Sequence, residues 1–221
     1  MVQVSFYSSL LLRVLGVKSH FINADSLENS ENYLIVSNHL SYLDVLVLAS
    51  KIPSCFVTSL EIKQTPFLGQ LTALAGCLFV DRKNRSGLKG EINELRDALK
   101  SGLNVIVFPE ATSTDGSEVL RFKRPLFESS VATGKAILPL TINYQSISET
   151  AVGVENRDVV CWYGAMDFFP HFLKLLEQTE VQVEVIISEA FLPDFMPTQD
   201  LAARSQQIVA SAFRPLNMPI A

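Results

Sequence analysis

Tyr33-Leu34-Ile35-Val36-Ser37-Asn38-His39-Leu40-Ser41-Tyr42-Leu43-Asp44 is the stretch whose reading decides the fold. Its opening is apolar throughout rather than alternating, the pattern of a strand buried on both faces in a largely parallel sheet. Similar runs, rich in β-branched residues, recur at Cys55 to Thr58, Cys77 to Val80, Asn104 to Phe108, Ala136 to Ile142, Val159 to Tyr163 and Val181 to Ile187. Each is read as a strand. The last alternates at first, which suits an edge or antiparallel strand. Between the runs lie segments with helical spacing: Leu88, Ile92, Leu95 and Leu99 recur every three or four residues, and a terminal helix is expected near Asp200 to Phe213. The alternation predicts an α/β fold, a single-domain sandwich with a largely parallel central sheet of about seven strands flanked by helices. No repeat or linker divides the chain of 221 residues, so residues 1–221 are read as one domain. The polar stretch from Tyr144 to Asp158 is the longest loop candidate.

Composition narrows the function. Hydrophobic residues make up 48% and charged residues 19%, and some of that apolar surplus is expected to face lipid. With 18 basic against 23 acidic residues, the chain lacks the cationic excess that binding nucleic acid requires. Cys55, Cys77 and Cys161 are odd in number, show no CxxC spacing and sit in apolar runs, which reads as buried thiols in a reducing compartment. The best N-terminal apolar run, Val4 to Val17, contains Arg13 and is shorter than the roughly 20 residues that span a bilayer. It also lacks a positive start and a small-residue cleavage site, so no removed signal is expected and a cytoplasmic location follows.

A strand ending at Ser37 delivers Asn38 and His39 at its carboxyl end, the edge of an open α/β sheet where ligands collect. An imidazole titrates near 6.5 and accepts a proton from a hydroxyl near neutral pH, provided a partner fixes its tautomer. Asp44 is that partner if the chain turns between the two, with Ser41 as N-cap and Asp44 in the first helical turn, since residues five apart on an ideal helix lie about 140° apart. The alternative stays open here: Ser41 and Asp44 have the spacing of a capping box, and His39 can be a hydrogen-bonded loop histidine.

Asn38-His39 followed five residues later by Asp44, after an apolar strand, resembles the first motif of the PlsC-like glycerolipid acyltransferases. Three further stretches resemble that family's other blocks in the right order: Gly76 to Arg82, Val107 to Thr112, and Ile137 to Leu140. Together they span a motif-bearing core at residues 38–140. The resemblance implies that His39 is the general base and Asp44 its orienter. It also implies that Asn38 and Arg82 help hold substrate, with Arg82 on a phosphate, and that Glu110 belongs to the acceptor-binding block. The acceptor would be a lysolipid such as lysophosphatidic acid. The acyl group would come from acyl-CoA or an acyl carrier protein as co-substrate, with no cofactor and no metal.

The chain departs from the family pattern after Glu110. The usual continuation places a glycine next and an arginine two residues beyond it, whereas Ala111, Thr112 and Ser113 stand here. A hydroxyl replaces a bidentate guanidinium only by weaker hydrogen bonds. Thr112 and Ser113 are therefore candidate head-group contacts, with Arg121, Lys123 or Arg124 as compensating cations. The run from Thr112 to Gly116 is similar to the branch that acylates an amino-acid lysolipid such as lyso-ornithine lipid.

Phe6 to Val17 has the pattern of an interfacial membrane helix within residues 1–18, and equally that of a helix packed on the core. Phe168 to Phe172 is the second candidate for membrane contact, and peripheral attachment to the cytoplasmic face of the cell membrane is the expectation. His20 and His171 are read as structural or surface residues. A metal enzyme is disfavoured by the absence of ligand spacing, and a serine hydrolase by the absence of a G-x-S-x-G elbow. The non-enzymatic rival is a lipid-binding protein with a degenerate acceptor site.

Overall fold

The computed structural model describes residues 2–27, 31–59, 69, 77–80 and 85–217. Along the chain run α1 (Val2–Val14), β1 (Val17–Ile22), β2 (Leu34–Ser37), α2 (Leu43–Lys51), β3 (Ser54–Ser59), β4 (Cys77–Val80), α3 (Arg85–Lys100) and β5 (Asn104–Val107). Then follow α4 (Glu128–Thr133), β6 (Ile137–Ile147), β7 (Thr150–Ala151), α5 (Phe168–Leu176), β8 (Val181–Ile187) and α6 (Thr198–Ala212). The strands form one sheet in the order β1-β8-β6-β2-β5-β3-β4, with β7 beside β6.

The run that opens the sequence analysis becomes the middle of this sheet. β2 pairs parallel with β5 on one side and β6 on the other, and Leu34, Ile35 and Val36 are fully buried. That double burial is why the segment never alternates. The sheet is parallel except where β6 meets β7 and β8. β8 is thus antiparallel to β6, as its alternation suggested, but it is interior rather than an edge because β1 covers it in parallel.

Helix α3 takes the expected face, with Leu95 and Leu99 in the core, and α6 occupies the predicted terminal helix. Two expectations need correction. Val159 to Tyr163 is not a strand: a short 3-10 turn over Arg157–Val159 leads into irregular chain in which Val160 and Cys161 are fully buried. Short apolar runs do not distinguish a strand from a covered loop, and this one lies across the loop after β2, donating from Trp162 N to Leu40 O at 2.8 Å. Nor does the loop begin at Tyr144, because β6 continues through a bulge between Tyr144 and Ser146 as far as Ile147. Edge strand β1 escaped the sequence reading because its outward positions are polar, including exposed His20.

Helix α1 packs on the core along one side and leaves an apolar side exposed. It buries Ser8 and Leu12 against the body of the protein, next to α2, while Phe6, Tyr7, Leu10 and Val14 stand exposed on the other side. Gly16 ends it with φ 68°, a left-handed residue whose missing Cβ would sit 2.9 Å from Thr179 O. No helix among the described residues is long and apolar enough to cross a membrane.

Candidate active site

His39 and Asp44 meet. Their contact, His39 Nδ1 to Asp44 Oδ2, is 2.9 Å, made between the residue just past β2 and the first turn of α2. The chain turns as required, but not by the expected cap. Among the described residues Ser41 Oγ is buried without a partner, and the residue before the helix, Tyr42, makes no capping bond. Instead Asp44 reaches back: its Oδ2 accepts from Leu40 N at 2.7 Å and from Ser41 N at 2.9 Å. This is the acid half of a capping box, and it fixes the loop that carries His39.

Asp44 is fully buried, and among the described residues no cationic side chain pairs with it other than the imidazole, so hydrogen bonds hold it in place. Oδ1 accepts the remaining one, from Tyr144 OH at 2.8 Å. Burial, then the charge of Asp44, push the Tyr144 phenol well above its usual range, so it stays a neutral donor. With donors crowding Oδ2, the acid accepts from His39, and the imidazole carries its hydrogen on Nδ1. Nε2 is the basic nitrogen, and no described residue bonds it.

Several groups hold the ring. The His39 imidazole stacks on Phe108, centroids 4.1 Å apart and planes at 13°. Thr114 N donates to His39 O at 3.0 Å. Behind the loop, Tyr42 packs against Phe168 and Trp162, and its hydroxyl meets His171 Nδ1 at 3.1 Å. His171 Nε2 lies 3.1 Å from Cys161 O, and burial lowers the tendency of this ring to protonate. His171 is therefore a structural residue of the wall behind the site, as the sequence suggested.

The other expected residues divide. Asn38 turns into the sheet, where its amide donates to Ile142 O at 2.9 Å and accepts from Ile142 N at 2.8 Å, prolonging the β2–β6 ladder by a side chain. That explains an asparagine at this position without any substrate contact. Glu110 lies at the same sheet edge, 3% exposed, and neither of its oxygens has a hydrogen-bond partner among the described residues. Burial first, and the charge of Asp44 second, push its carboxyl up to about 8. The backbone N–H groups of His39 and Leu120 oppose part of that rise without reaching hydrogen-bonding geometry. Glu110 is thus a mostly protonated acid at neutral pH.

Ala111 holds φ at 62°, the left-handed region a glycine would occupy without strain. The backbone of the turn after Glu110 has kept a glycine conformation with an alanine in it. Thr112 is exposed, Ser113 partly so, and Thr112 Oγ1 spends its hydrogen on Ser113 O at 3.3 Å. Arg121, Lys123 and Arg124 are exposed at the surface, none of them paired with the Asp115-Gly116 turn among the described residues. The cation at that turn is Arg157, 2.9 Å from Asp115, a residue the sequence reading passed over. Arg82, the expected phosphate ligand, lies outside the described residues. Among those described, no group of three or more His, Cys, Asp or Glu stands where it would hold a metal.

Comparison with known proteins shows the family and the fold. A family model described as Acyltransferase matches residues 18–143. The lyso-ornithine lipid O-acyltransferase of Rhizobium meliloti (strain 1021) is 31% identical over 187 residues, which cover 81% of this chain and 63% of that protein. The 1-acyl-sn-glycerol-3-phosphate acyltransferase of Neisseria gonorrhoeae is 33% identical over 117 residues, 53% of this chain and 46% of that protein. The chain thus spans about half to two thirds of the length of these relatives. In fold it matches the crystal structure of the 1-acyl-sn-glycerophosphate (LPA) acyltransferase PlsC from Thermotoga maritima, with a TM-score of 0.69 at 19% identity, over 95% of this chain and 76% of that one.

Proposed function

The chain belongs to the acyltransferase family, and from that premise we propose that it moves a fatty acyl group from an acyl thioester to the free hydroxyl of a lysolipid. The observation that carries this reading is the 2.9 Å contact of His39 Nδ1 with buried Asp44, which leaves Nε2 as the base. In the proposed step, Nε2 takes the hydroxyl proton as the oxygen attacks the thioester carbonyl. The carbon–sulfur bond breaks as the ester forms, and the imidazolium returns the proton to the leaving thiolate. Asp44 stabilises the imidazolium in between. No covalent acyl-enzyme is required. The donor is acyl-CoA or acyl carrier protein.

For the acceptor, an amino-acid lysolipid such as lyso-ornithine lipid is the reading with more support. Ser113 stands where the PlsC-like pattern has an arginine, so the phosphate of lysophosphatidic acid loses a bidentate partner. The match to the Rhizobium meliloti relative also runs over more of the chain than the match to the Neisseria gonorrhoeae one. Lysophosphatidic acid is the second reading, supported by the ordered motifs shared with that branch. Attachment to the cytoplasmic face of a membrane fits the exposed apolar face of α1 and the free thiols of Cys55 and Cys161.

Purified protein given acyl-CoA or acyl carrier protein, with each lysolipid in mixed micelles, tests both levels. Mass spectrometry of the products should show diacyl ornithine lipid in excess over phosphatidic acid. Phosphatidic acid alone would reverse the acceptor assignment, and no acylated product from either would sink the reaction.

A further inference from the structure

Asp44 is held at both oxygens. Oδ2 takes the imidazole and the backbone amides of Leu40 and Ser41, all local to its own loop, but Oδ1 has a single donor among the described residues, Tyr144 OH, from a strand a hundred residues later. β6 is rigid there: it pairs with β2 through Leu140, and Ile142 is stitched to Asn38 by the amide ladder. Tyr144 shares the face of Ile142 by the two-residue period of a strand, and it is 3% exposed. The carboxylate plane is therefore set by a loop on one side and by the core of the sheet on the other.

We infer that Tyr144 is a positioning residue that sets the orientation and basicity of the Asp44–His39 pair from β6. The inference rests on the proposed acyl transfer for its kinetic meaning, while its geometry stands without it. A hydroxyl donating to Oδ1 draws charge density away from the carboxylate and so weakens its hold on a proton shared with the ring. Without it, Oδ1 is a buried acceptor with no donor among the described residues, the carboxylate is held at Oδ2 alone, and more of its charge bears on the imidazole. The ring then binds its second proton more readily, so less of it is available as a base at a given pH. A tyrosine that merely filled space would do none of this, since phenylalanine has the same shape without the hydroxyl.

The test compares the full chain with Tyr144→Phe by NMR titration of the histidine ring protons, the His39 signal being the one lost in His39→Ala. The titration midpoint of His39 should rise in Tyr144→Phe by about half a unit or more, and kcat/KM should fall about 10-fold, the lower end of what losing such an orienting partner costs. The acid limb of the kcat/KM profile should move up with the midpoint. An unmoved midpoint overturns the inference, whatever happens to the rate. Should Tyr144→Phe fail to fold, Asp44→Ala/Tyr144→Phe removes the orphaned acceptor together with its donor. That double variant should have the same residual activity as Asp44→Ala, in which Tyr144 has no side-chain acceptor at position 44, and a further loss of about 10-fold would show that Tyr144 acts elsewhere. A wild-type chain that transfers no acyl group would sink the proposed reaction instead, leaving the titration to decide on Tyr144.

Discussion

Asp44→Asn separates charge from orientation in this site. An asparagine fits the space, and its orientation is dictated: Oδ2 faces the Leu40 and Ser41 amides and the imidazole N–H, so the amide oxygen must take that place. The amide nitrogen then faces Tyr144 OH, which turns to accept. The His39 tautomer is preserved, so the large loss seen when an asparagine forces the wrong tautomer on a catalytic histidine does not apply. What disappears is the attraction between carboxylate and imidazolium. With heavy atoms 2.9 Å apart and charge centres about 4 Å apart, that attraction is worth about 4 kcal/mol at an effective dielectric of about 20. At about 1.4 kcal/mol per decade, kcat should drop about 10³-fold. KM for the acyl donor should stay within about threefold, because uniform binding is untouched. The acid limb of the kcat/KM profile should move down, since the imidazolium has lost its counterion. Steady-state acyl transfer measured across pH reads all three. A loss of less than about 10-fold, or an unmoved acid limb, would refute the electrostatic role given to Asp44.

Three other perturbations follow from the same geometry. Glu110 holds its proton up to about 8 against an ordinary 4.5, so the folded state binds more protons than the unfolded chain between those values and stability falls as pH rises through that window. Glu110→Gln should flatten this dependence, giving a larger gain in melting temperature at pH 8 than at pH 5, and equal gains at both would contradict the protonated assignment. Ala111→Gly relieves the left-handed strain at φ 62°; set against the greater freedom of unfolded glycine, the net should be about 0.5 kcal/mol, a rise of about 1–2 °C by calorimetry, and a fall would contradict the strain. On α1, Phe6→Ser, Leu10→Ser and Val14→Ser together change exposed side chains alone, so flotation with anionic liposomes should fall at least about 10-fold while the melting temperature holds. Unchanged flotation would shift attention to Phe169, Leu173 and Leu176, exposed on α5.

Much of the fold was legible because burial on both faces writes itself into β2 and β5 as uninterrupted apolar runs. The spacing of His39 and Asp44 allowed the pair without deciding it, and the resemblance of four ordered motifs is what assigned the two their roles. The rest of the site depends on pairing that no short stretch encodes. Tyr144 reaches Asp44 only because β6 lies beside β2 and extends past its apolar core into sequence that looks like a loop. The continued alternation of Ile142 and Tyr144 was the signal that could have found it. Trp162 N reaches Leu40 from a buried run that mimics a strand. Ser41 has the spacing of a cap, yet among the described residues its hydroxyl is left unbonded, the Asp44 amide going to the Ser41 carbonyl, and only the return bond of the capping box forms, from Ser41 N to Asp44. Asn38 entered as part of the family's first motif, and the sheet uses both ends of its amide through a pairing with Ile142 that the local sequence does not encode.

The most direct test of His39 as the base is acyl transfer by His39→Ala, measured with the acyl donor and lysolipid that the wild-type chain uses best. Loss of activity by about 10³-fold or more, with the wild-type melting temperature and liposome binding retained, is the predicted result. Transfer within about 10-fold of wild type would contradict the account, because the proton of the acceptor hydroxyl would then be leaving by another route.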